Sequence, residues 1–380
     1  MEPLDSTVLP KGVRSRFVEE INGLRVHLLE SGFEGSERPL VVLLHGFPEI
    51  AYSWRKVMPV LAEAGFHAIA PDLRGYGRTS GWSADYDADL RPFRLLNVVR
   101  DTLGLVFALG RRRAISVVGH DFGASAAAWC ALARPDVFSS LVLMSAPFEG
   151  PPGLPFATDG KVPAVPSSPD IHEALAALER PRKHYQWYYS KRGANAQMWY
   201  ASQGVHAFLR AYFHHKSADW VENKPHKLVA WRADELAKMP TYYIMDLAKD
   251  MPGTVAEVMP SAQEIAACRW LPESELAVYS AEYQRTGFQG GLNWYRSRTS
   301  GHFESELQVF AGRTIDVPSM FIAGKSDWGT YQRPGAVDRM QQSVCTKMVG
   351  CHLIEGAGHW VQQEQPAALN KLLIAFLRSV

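Results

Sequence analysis

Short apolar runs, each followed within a few residues by Gly, Asp or Pro, recur in the first and last parts of the chain. Runs without polar alternation are typical of strands that are buried on both faces of a parallel sheet. Segments with helical spacing lie between them, so the pattern predicts an α/β sheet with helices on both faces. The predicted strands are Leu40–Leu44, His67–Ala70, Ile115–Val118, Leu141–Met144, Met320–Ala323 and His352–Ile354. The predicted helices include Asn97–Leu109, Ser125–Ala133 and Pro366–Leu377.

A hairpin is predicted ahead of these strands. Arg14–Glu20 and Leu24–Glu30 flank Asn22-Gly23, a dipeptide that favours a tight two-residue turn. We therefore expect an antiparallel pair at one edge of a mostly parallel, eight-stranded sheet.

The strand–helix alternation stops after Leu141–Met144 and resumes near Val317. Pro147–Pro169 contains seven prolines and three glycines, which is typical of a linker, and the following segment is rich in aromatic residues. We interpret 148–305 as an inserted helical cap, with 1–147 and 306–380 forming one core domain. The alternative, a separate C-terminal domain, would leave the last two predicted strands without partners.

Composition excludes several classes of protein. The 40 Lys and Arg residues balance 39 Asp and Glu residues, so there is no electrostatic reason to expect a nucleic-acid partner. The four cysteines are scattered without a CxxC motif, and no apolar run reaches the roughly 18 residues of a membrane span. The N-terminal segment does not resemble a secretion signal. We expect a cytoplasmic protein without membrane insertion.

A candidate nucleophile stands where a predicted strand meets a helix of small residues. The segment ISVVGHDFGA contains G-x-D-x-G, with Asp121 in the middle. In the related G-x-S-x-G pattern, flanking glycines allow a strained turn that raises the central side chain above the sheet edge. A carboxylate there can displace at a saturated carbon, whereas a serine suits acyl transfer. The alternative is that Asp121 only caps the helix.

The other parts of a catalytic site are predicted at neighbouring strand ends. The motif HGFPE follows Leu40–Leu44, and the backbone N–H groups of Phe47 and Phe122 are the expected oxyanion donors. His359 lies after the last strand, in GAGHW, and Asp327 follows Met320–Ala323. An acid at that position can hold the imidazole in the tautomer that activates water. Glu149 is the rival acid.

These motifs resemble those of soluble epoxide hydrolases of the α/β-hydrolase superfamily. The resemblance extends from about residue 14 to residue 378 and includes HGFPE, DLRGYGRTS, GHDFGA, the Asp327 loop, GAGHW and the segment GFQGGLNWYR at 287–296. It implies an α/β-hydrolase fold with an inserted cap, and a cofactor-independent reaction that opens an epoxide to a vicinal diol.

The resemblance also implies two cap tyrosines that hydrogen-bond to the epoxide oxygen. Tyr295 matches the second one, in NWYR, and Tyr185 is the best candidate for the first, with Tyr188 and Tyr189 as alternatives. An alkoxide is a poor leaving group unless its oxygen receives a hydrogen bond or a proton. The expected substrate contacts are Trp187, Pro48 and Trp360.

One residue departs from the pattern of the family. Phe122 occupies the position after the nucleophile, where tryptophan is common in epoxide hydrolases. Haloalkane dehalogenases, which resemble this chain too, need a tryptophan there, and fluoroacetate dehalogenases usually carry an arginine. Phe122 has no side-chain donor, which weakens the dehalogenase alternative.

The sequence therefore predicts an epoxide hydrolase with Asp121, His359 and Asp327 as its triad and with a role in detoxification. Its expected partners are a small apolar epoxide and water, without nucleic acid, metal or cofactor, and a homodimer is one candidate assembly. The alternatives are a haloalkane or haloacid dehalogenase with the same triad, and a non-catalytic binding protein of the same fold.

Overall fold

The computed structural model describes residues 1–35, 37–156 and 170–380. In this part of the chain, eight strands form one sheet and two short strands form a separate ribbon. The strands are β1 (Val13–Ile21), β2 (Leu24–Ser31), β3 (Leu40–Leu44), β4 (His67–Pro71), β5 (Ser116–His120), β6 (Leu141–Met144), β7 (Arg182–His184), β8 (Ile244–Asp246), β9 (Ser319–Gly324) and β10 (Met348–Ile354).

The order of the large sheet is β1-β2-β4-β3-β5-β6-β9-β10. The hairpin of β1 and β2 is antiparallel, and β2 also pairs antiparallel with β4, whereas the remaining neighbours pair in parallel. The central strands β3 to β6 are buried throughout, as their uninterrupted apolar runs predict. The predicted hairpin and parallel sheet are both confirmed.

Helices cover both faces of the sheet. They also form most of the regular secondary structure described in the insertion, our name for the chain between β6 and β9. The helices are α1 (Met58–Glu63), α2 (Leu95–Ala108), α3 (Phe122–Ala133), α4 (Ile171–Ala176), α5 (Tyr185–Tyr189), α6 (Ala194–Trp199), α7 (Gly204–Lys216), α8 (Ala233–Leu236), α9 (Met251–Ala256), α10 (Ala262–Ala267), α11 (Glu273–Thr286), α12 (Gln289–Thr299), α13 (Glu304–Gln308), α14 (Ala336–Arg339), α15 (Val361–Glu364) and α16 (Pro366–Leu377).

The strands on either side of the insertion belong to the same sheet. Strand β6 pairs in parallel with β9, with Leu141 opposite Ser319. The insertion therefore leaves the sheet after β6 and returns next to it. Part of the predicted linker, residues 157–169, lies outside the described residues.

The insertion packs on the rest of the chain through buried polar contacts. Trp294 of α12 donates its indole N–H to the carbonyl oxygen of Arg74, at 2.8 Å. Arg55 donates to the hydroxyl of Tyr279 in α11 and to the side chain of Gln363. These contacts fix the insertion above the carboxyl ends of the parallel strands.

The structure adds two features that the sequence pattern did not indicate. The ribbon of β7 and β8 lies within the insertion, where only helices were expected. Strand β10 begins at Met348, four residues before the predicted start, because it is an edge strand whose side chains alternate in exposure and do not form a continuous apolar run.

Candidate active site

Asp121 stands on a strained turn between β5 and α3. Its backbone adopts φ 55° and ψ −118°, a conformation that non-glycine residues rarely adopt. The flanking glycines permit the turn, since a Cβ atom on Gly119 would lie 2.0 Å from the carbonyl oxygen of Gly123. The Asp121 side chain makes no capping hydrogen bond to α3, so the capping alternative is wrong.

His359 and Asp327 meet Asp121 at the same edge of the sheet. His359 Nδ1 lies 3.0 Å from Asp327 Oδ1, and His359 Nε2 lies 3.4 Å from Asp121 Oδ2. The N–H of Gly329 also donates to Asp327 Oδ1, at 2.7 Å, which fixes the carboxylate. The rival acid Glu149 instead forms ion pairs with two arginines outside this group.

The surroundings of Asp121 keep its carboxyl ionised. Burial alone would raise its pKa, but the hydrogen bond from His359 and the charges of His359, Lys216 and His120 hold the pKa well below its usual range. The pKa of Asp327 is also lowered. Burial raises it, but the charge of His359 and the hydrogen bond with it outweigh that effect. Asp121 is therefore a carboxylate at neutral pH, as a nucleophile in this position requires.

Of the two predicted oxyanion donors, Phe47 contacts Asp121 and Phe122 follows it in the chain. The backbone N–H of Phe47 donates to Asp121 Oδ1 at 3.0 Å. Phe122 is the first residue of α3, where a backbone N–H has no acceptor within the helix. Oδ1 of Asp121 thus accepts a backbone hydrogen bond, and Oδ2 is the oxygen that lies nearest to His359.

A cavity of about 450 Å³ opens over Asp121. Asp121 and Phe122 belong to its floor, and Tyr185 and Tyr295 line it from the insertion. The rings of the two tyrosines are 5.9 Å apart, and the ring of Tyr295 packs edge-on against Phe122, at 4.5 Å. Burial raises the pKa of both phenols, so they stay protonated at neutral pH.

The alternative tyrosines occupy different surroundings. Tyr188 donates to Gln197, and Tyr189 donates to the hydroxyl of Tyr212, at 2.9 and 3.1 Å. Neither is among the residues that line the cavity. Tyr185 donates to Gln332 Oε1 and accepts from Gln186, both at 3.1 Å, which orients its hydroxyl.

The three expected substrate contacts do not line this cavity. Trp187 packs against His172 and His184 inside the insertion. The indole N–H of Trp360 donates to the carbonyl oxygen of Phe213, and the ring is fully buried. Pro48 is buried in the loop after β3. Trp187 and Trp360 thus serve in packing here, because side chains close together in sequence can point in different directions.

Sequence reasoning missed a buried network behind His359. His120 Nδ1 lies 2.6 Å from Glu49 Oε2, and His120 Nε2 lies 2.7 Å from the carbonyl oxygen of His359. Glu49 also accepts from the amides of Gln362 and Gln363. The signal for this network was present, since Glu49 ends the HGFPE motif and His120 precedes the nucleophile.

Lys216, at the end of α7, was also missed. Its ammonium group lies within 5.1–5.8 Å of four aromatic ring centres, those of Tyr212, Tyr242, Tyr243 and Trp360. Burial lowers the pKa of Lys216, whereas the charges of Asp121, Asp327 and Glu49 raise it. No sequence motif marks this lysine, because the rings that surround it come from distant segments.

Within the described residues, no group of three or more His, Cys, Asp or Glu side chains is arranged to hold a metal ion. No helix in this part of the chain combines the length and the apolar character that a membrane span requires.

Comparisons with known proteins show which family the chain belongs to. A family model described as the alpha/beta hydrolase fold matches residues 39–366. Epoxide hydrolase B of Mycobacterium tuberculosis is 32% identical over 369 residues, which cover 93% of this chain and 96% of that protein.

Solved structures show the same relationship. An epoxide hydrolase from an endophytic Streptomyces superimposes with a TM-score of 0.77 at 32% identity, covering 97% of this chain and 96% of the other. Potato epoxide hydrolase I gives a TM-score of 0.72 at 28% identity, covering 97% of this chain and all of that one. The chain therefore belongs to the epoxide hydrolases of the α/β-hydrolase superfamily.

The charge of Lys216 gives a prediction about the nucleophile. The substitution Lys216→Met keeps the shape of the side chain. It removes a positive charge that lowers the pKa of Asp121. We expect the pKa of the Asp121 carboxyl group to rise by about one unit. Infrared titration of that carboxyl group between pH 1 and 5, referenced to Asp121→Asn and with the exposed Lys191→Met as control, gives the midpoint. An unchanged midpoint would exclude an electrostatic role for Lys216.

Proposed function

We propose that this protein converts an epoxide to a vicinal diol through a covalent ester on Asp121. The observation that carries the proposal is that the Asp121 carboxylate and two protonated phenols, those of Tyr185 and Tyr295, line the same cavity. An epoxide between them can receive the nucleophile at carbon and a proton at oxygen.

In the first step, Oδ2 of Asp121 attacks an epoxide carbon and the carbon–oxygen bond of the ring breaks. The ring oxygen takes the electron pair and receives a proton from Tyr185 or Tyr295. This leaves a hydroxyalkyl ester on Asp121. The assignment of Oδ2 is supported by the hydrogen bond that Phe47 donates to Oδ1, since Oδ1 then becomes the carbonyl oxygen of the ester.

In the second step, His359 removes a proton from water, and the hydroxide adds to the ester carbonyl carbon. The negative charge develops on Oδ1, next to the N–H groups of Phe47 and Phe122. Asp327 stabilises the imidazolium through Nδ1. Collapse of this intermediate breaks the bond between the carbonyl carbon and the alkyl oxygen. That oxygen takes the proton of the added hydroxyl group, so the diol leaves and Asp121 is again a carboxylate. The proton on His359 returns to the tyrosinate formed in the first step, directly or through solvent.

The insertion is proposed to act as a cap, over 148–305, that supplies the phenols and an aromatic wall. Phe122 and Trp294 make part of the cavity apolar, which suits a small apolar epoxide.

The four cysteines are free, which supports a cytoplasmic location.

Variants of the nucleophile and the base test the mechanism. We expect Asp121→Ala to abolish diol formation, because Asp121 is the cavity carboxylate that contacts both the Phe47 N–H and His359. His359→Gln should form the ester and release it at least about a hundredfold more slowly. Mass spectrometry of the protein after reaction with an aryl epoxide should show a mass increase in His359→Gln and none in Asp121→Ala. Full turnover by Asp121→Ala would contradict the proposal.

The phenols give a second prediction. We expect Tyr185→Phe and Tyr295→Phe each to slow ring opening by about ten- to a thousandfold, because the departing oxygen loses a proton donor. Tyr188→Phe is the matched control, since its hydroxyl donates to Gln197 and the residue does not line the cavity. Stopped-flow measurement of ester formation separates the three variants. A larger loss in Tyr188→Phe than in Tyr185→Phe would reassign the first donor.

A panel of haloalkanes and haloacetates tests the dehalogenase alternative. Phe122 offers no side-chain donor to a halide ion, so we expect no halide release above background. Release of halide at a rate comparable with diol formation would overturn that expectation.

A further inference from the structure

The backbone on both sides of His359 is held by one buried carboxyl group, that of Glu364. The N–H of Gly358 donates to Glu364 Oε2 at 2.9 Å, and the N–H of Trp360 donates to Oε1 at 2.9 Å. The N–H of Ala218, in the insertion, also donates to Oε2, at 2.8 Å. Glu364 therefore joins two backbone segments, the His359 loop and the insertion, through three N–H donors.

The same loop bonds directly to the end of helix α7. The last turn of a helix leaves carbonyl oxygens without partners in the helix. Here the N–H of His359 donates to the carbonyl oxygen of Lys216 at 2.9 Å, and the indole of Trp360 donates to that of Phe213 at 2.8 Å. The loop that carries His359 thus supplies hydrogen-bond donors to the carbonyl oxygens at the end of α7.

The contact between the two segments is as close as backbones allow. A Cβ atom on Gly358 would lie 2.5 Å from the carbonyl carbon of Ser217 and 2.6 Å from the nitrogen of Ala218. Only glycine fits at this position without separating the two segments. The position of His359 is therefore fixed from the insertion as well as from the sheet.

We propose that Glu364 is a positioning residue for the hydrolytic step, which fixes the His359 loop and couples it to the insertion. The inference rests on the proposed two-step mechanism. Ring opening uses Asp121 and the phenols, whereas ester hydrolysis needs the imidazole of His359 at a defined place. Disturbing Glu364 should therefore slow the second step selectively.

Glu364→Gln is the sharpest change, because glutamine has nearly the same shape. One amide oxygen replaces two acceptors, so in either orientation the NH₂ group faces at least one backbone N–H donor. The unpaired buried donor shifts the loop. Because burial raises the pKa of Glu364 to about 8, wild type and variant are compared at pH 9, where the wild-type group is a carboxylate.

The control is Glu355→Gln. Glu355 lies on the same loop, but its side chain is exposed and pairs with Lys325. Glu364→Asp is the second variant, for use if the glutamine variant does not fold. It keeps the charge but is one methylene shorter, so it cannot reach all three donors.

Stopped-flow kinetics with an aryl epoxide resolve the two steps. We expect ester hydrolysis to slow by between about tenfold and about a hundredfold in Glu364→Gln, with ester formation within about twofold of wild type. Glu355→Gln should leave both rates unchanged. An unchanged hydrolysis rate, or equal loss in both steps, would overturn the role of Glu364. If no Asp121 ester forms in the wild type, the proposed mechanism itself fails, which is a distinct outcome.

Discussion

The buried negative charge of Asp121 is the constraint around which the site is arranged. A carboxylate removed from water is strongly destabilising unless charges and hydrogen bonds compensate for it. Phe47, His359 and Lys216 supply that compensation from three different segments. Each of these groups must be held in place, which explains why the loop after β3, the loop after β10 and the end of α7 all converge here.

This arrangement also bears on the energetics of the proposed cycle. When Asp121 becomes an ester, its charge disappears and Lys216 loses one of the three carboxylates that favour its charged form. In the ester state, the positive charge of Lys216 therefore lacks the negative charge of Asp121 that it interacts with in the free enzyme. Hydrolysis restores the carboxylate, so the field around Asp121 favours completion of the second step.

The core of the fold was predictable because its signals are local. Uninterrupted apolar runs mark strands such as Leu40–Leu44 wherever both faces of a sheet are covered. Asp121 follows such a strand directly, and Asp327 and His359 come within five residues of the ends of β9 and β10. The carboxyl ends of parallel strands meet at one edge. The edge strand β10 was partly missed, since its exposed residues break the apolar run.

The parts of the site that escaped prediction depend on contacts between distant segments. Lys216 is recognisable only when the four rings around it are assembled, and Glu364 only when its three backbone donors are known. Trp187 and Trp360 failed as cavity residues for a related reason. An aromatic residue next to a catalytic one in sequence can point away from the cavity, and sequence alone does not give that direction.

The insertion contributes to both halves of the proposed chemistry. Tyr185 and Tyr295 bring the proton donors above Asp121, and the end of α7 bonds to the loop that carries His359. A displacement of this one body would therefore move the acid and the base together. Packed interfaces of this kind resist gradual deformation. The insertion therefore keeps the phenols and His359 at fixed positions relative to Asp121, which the sheet holds on a strained turn. The geometry of the active site is thus a property of the contact between sheet and insertion, and neither part defines it alone.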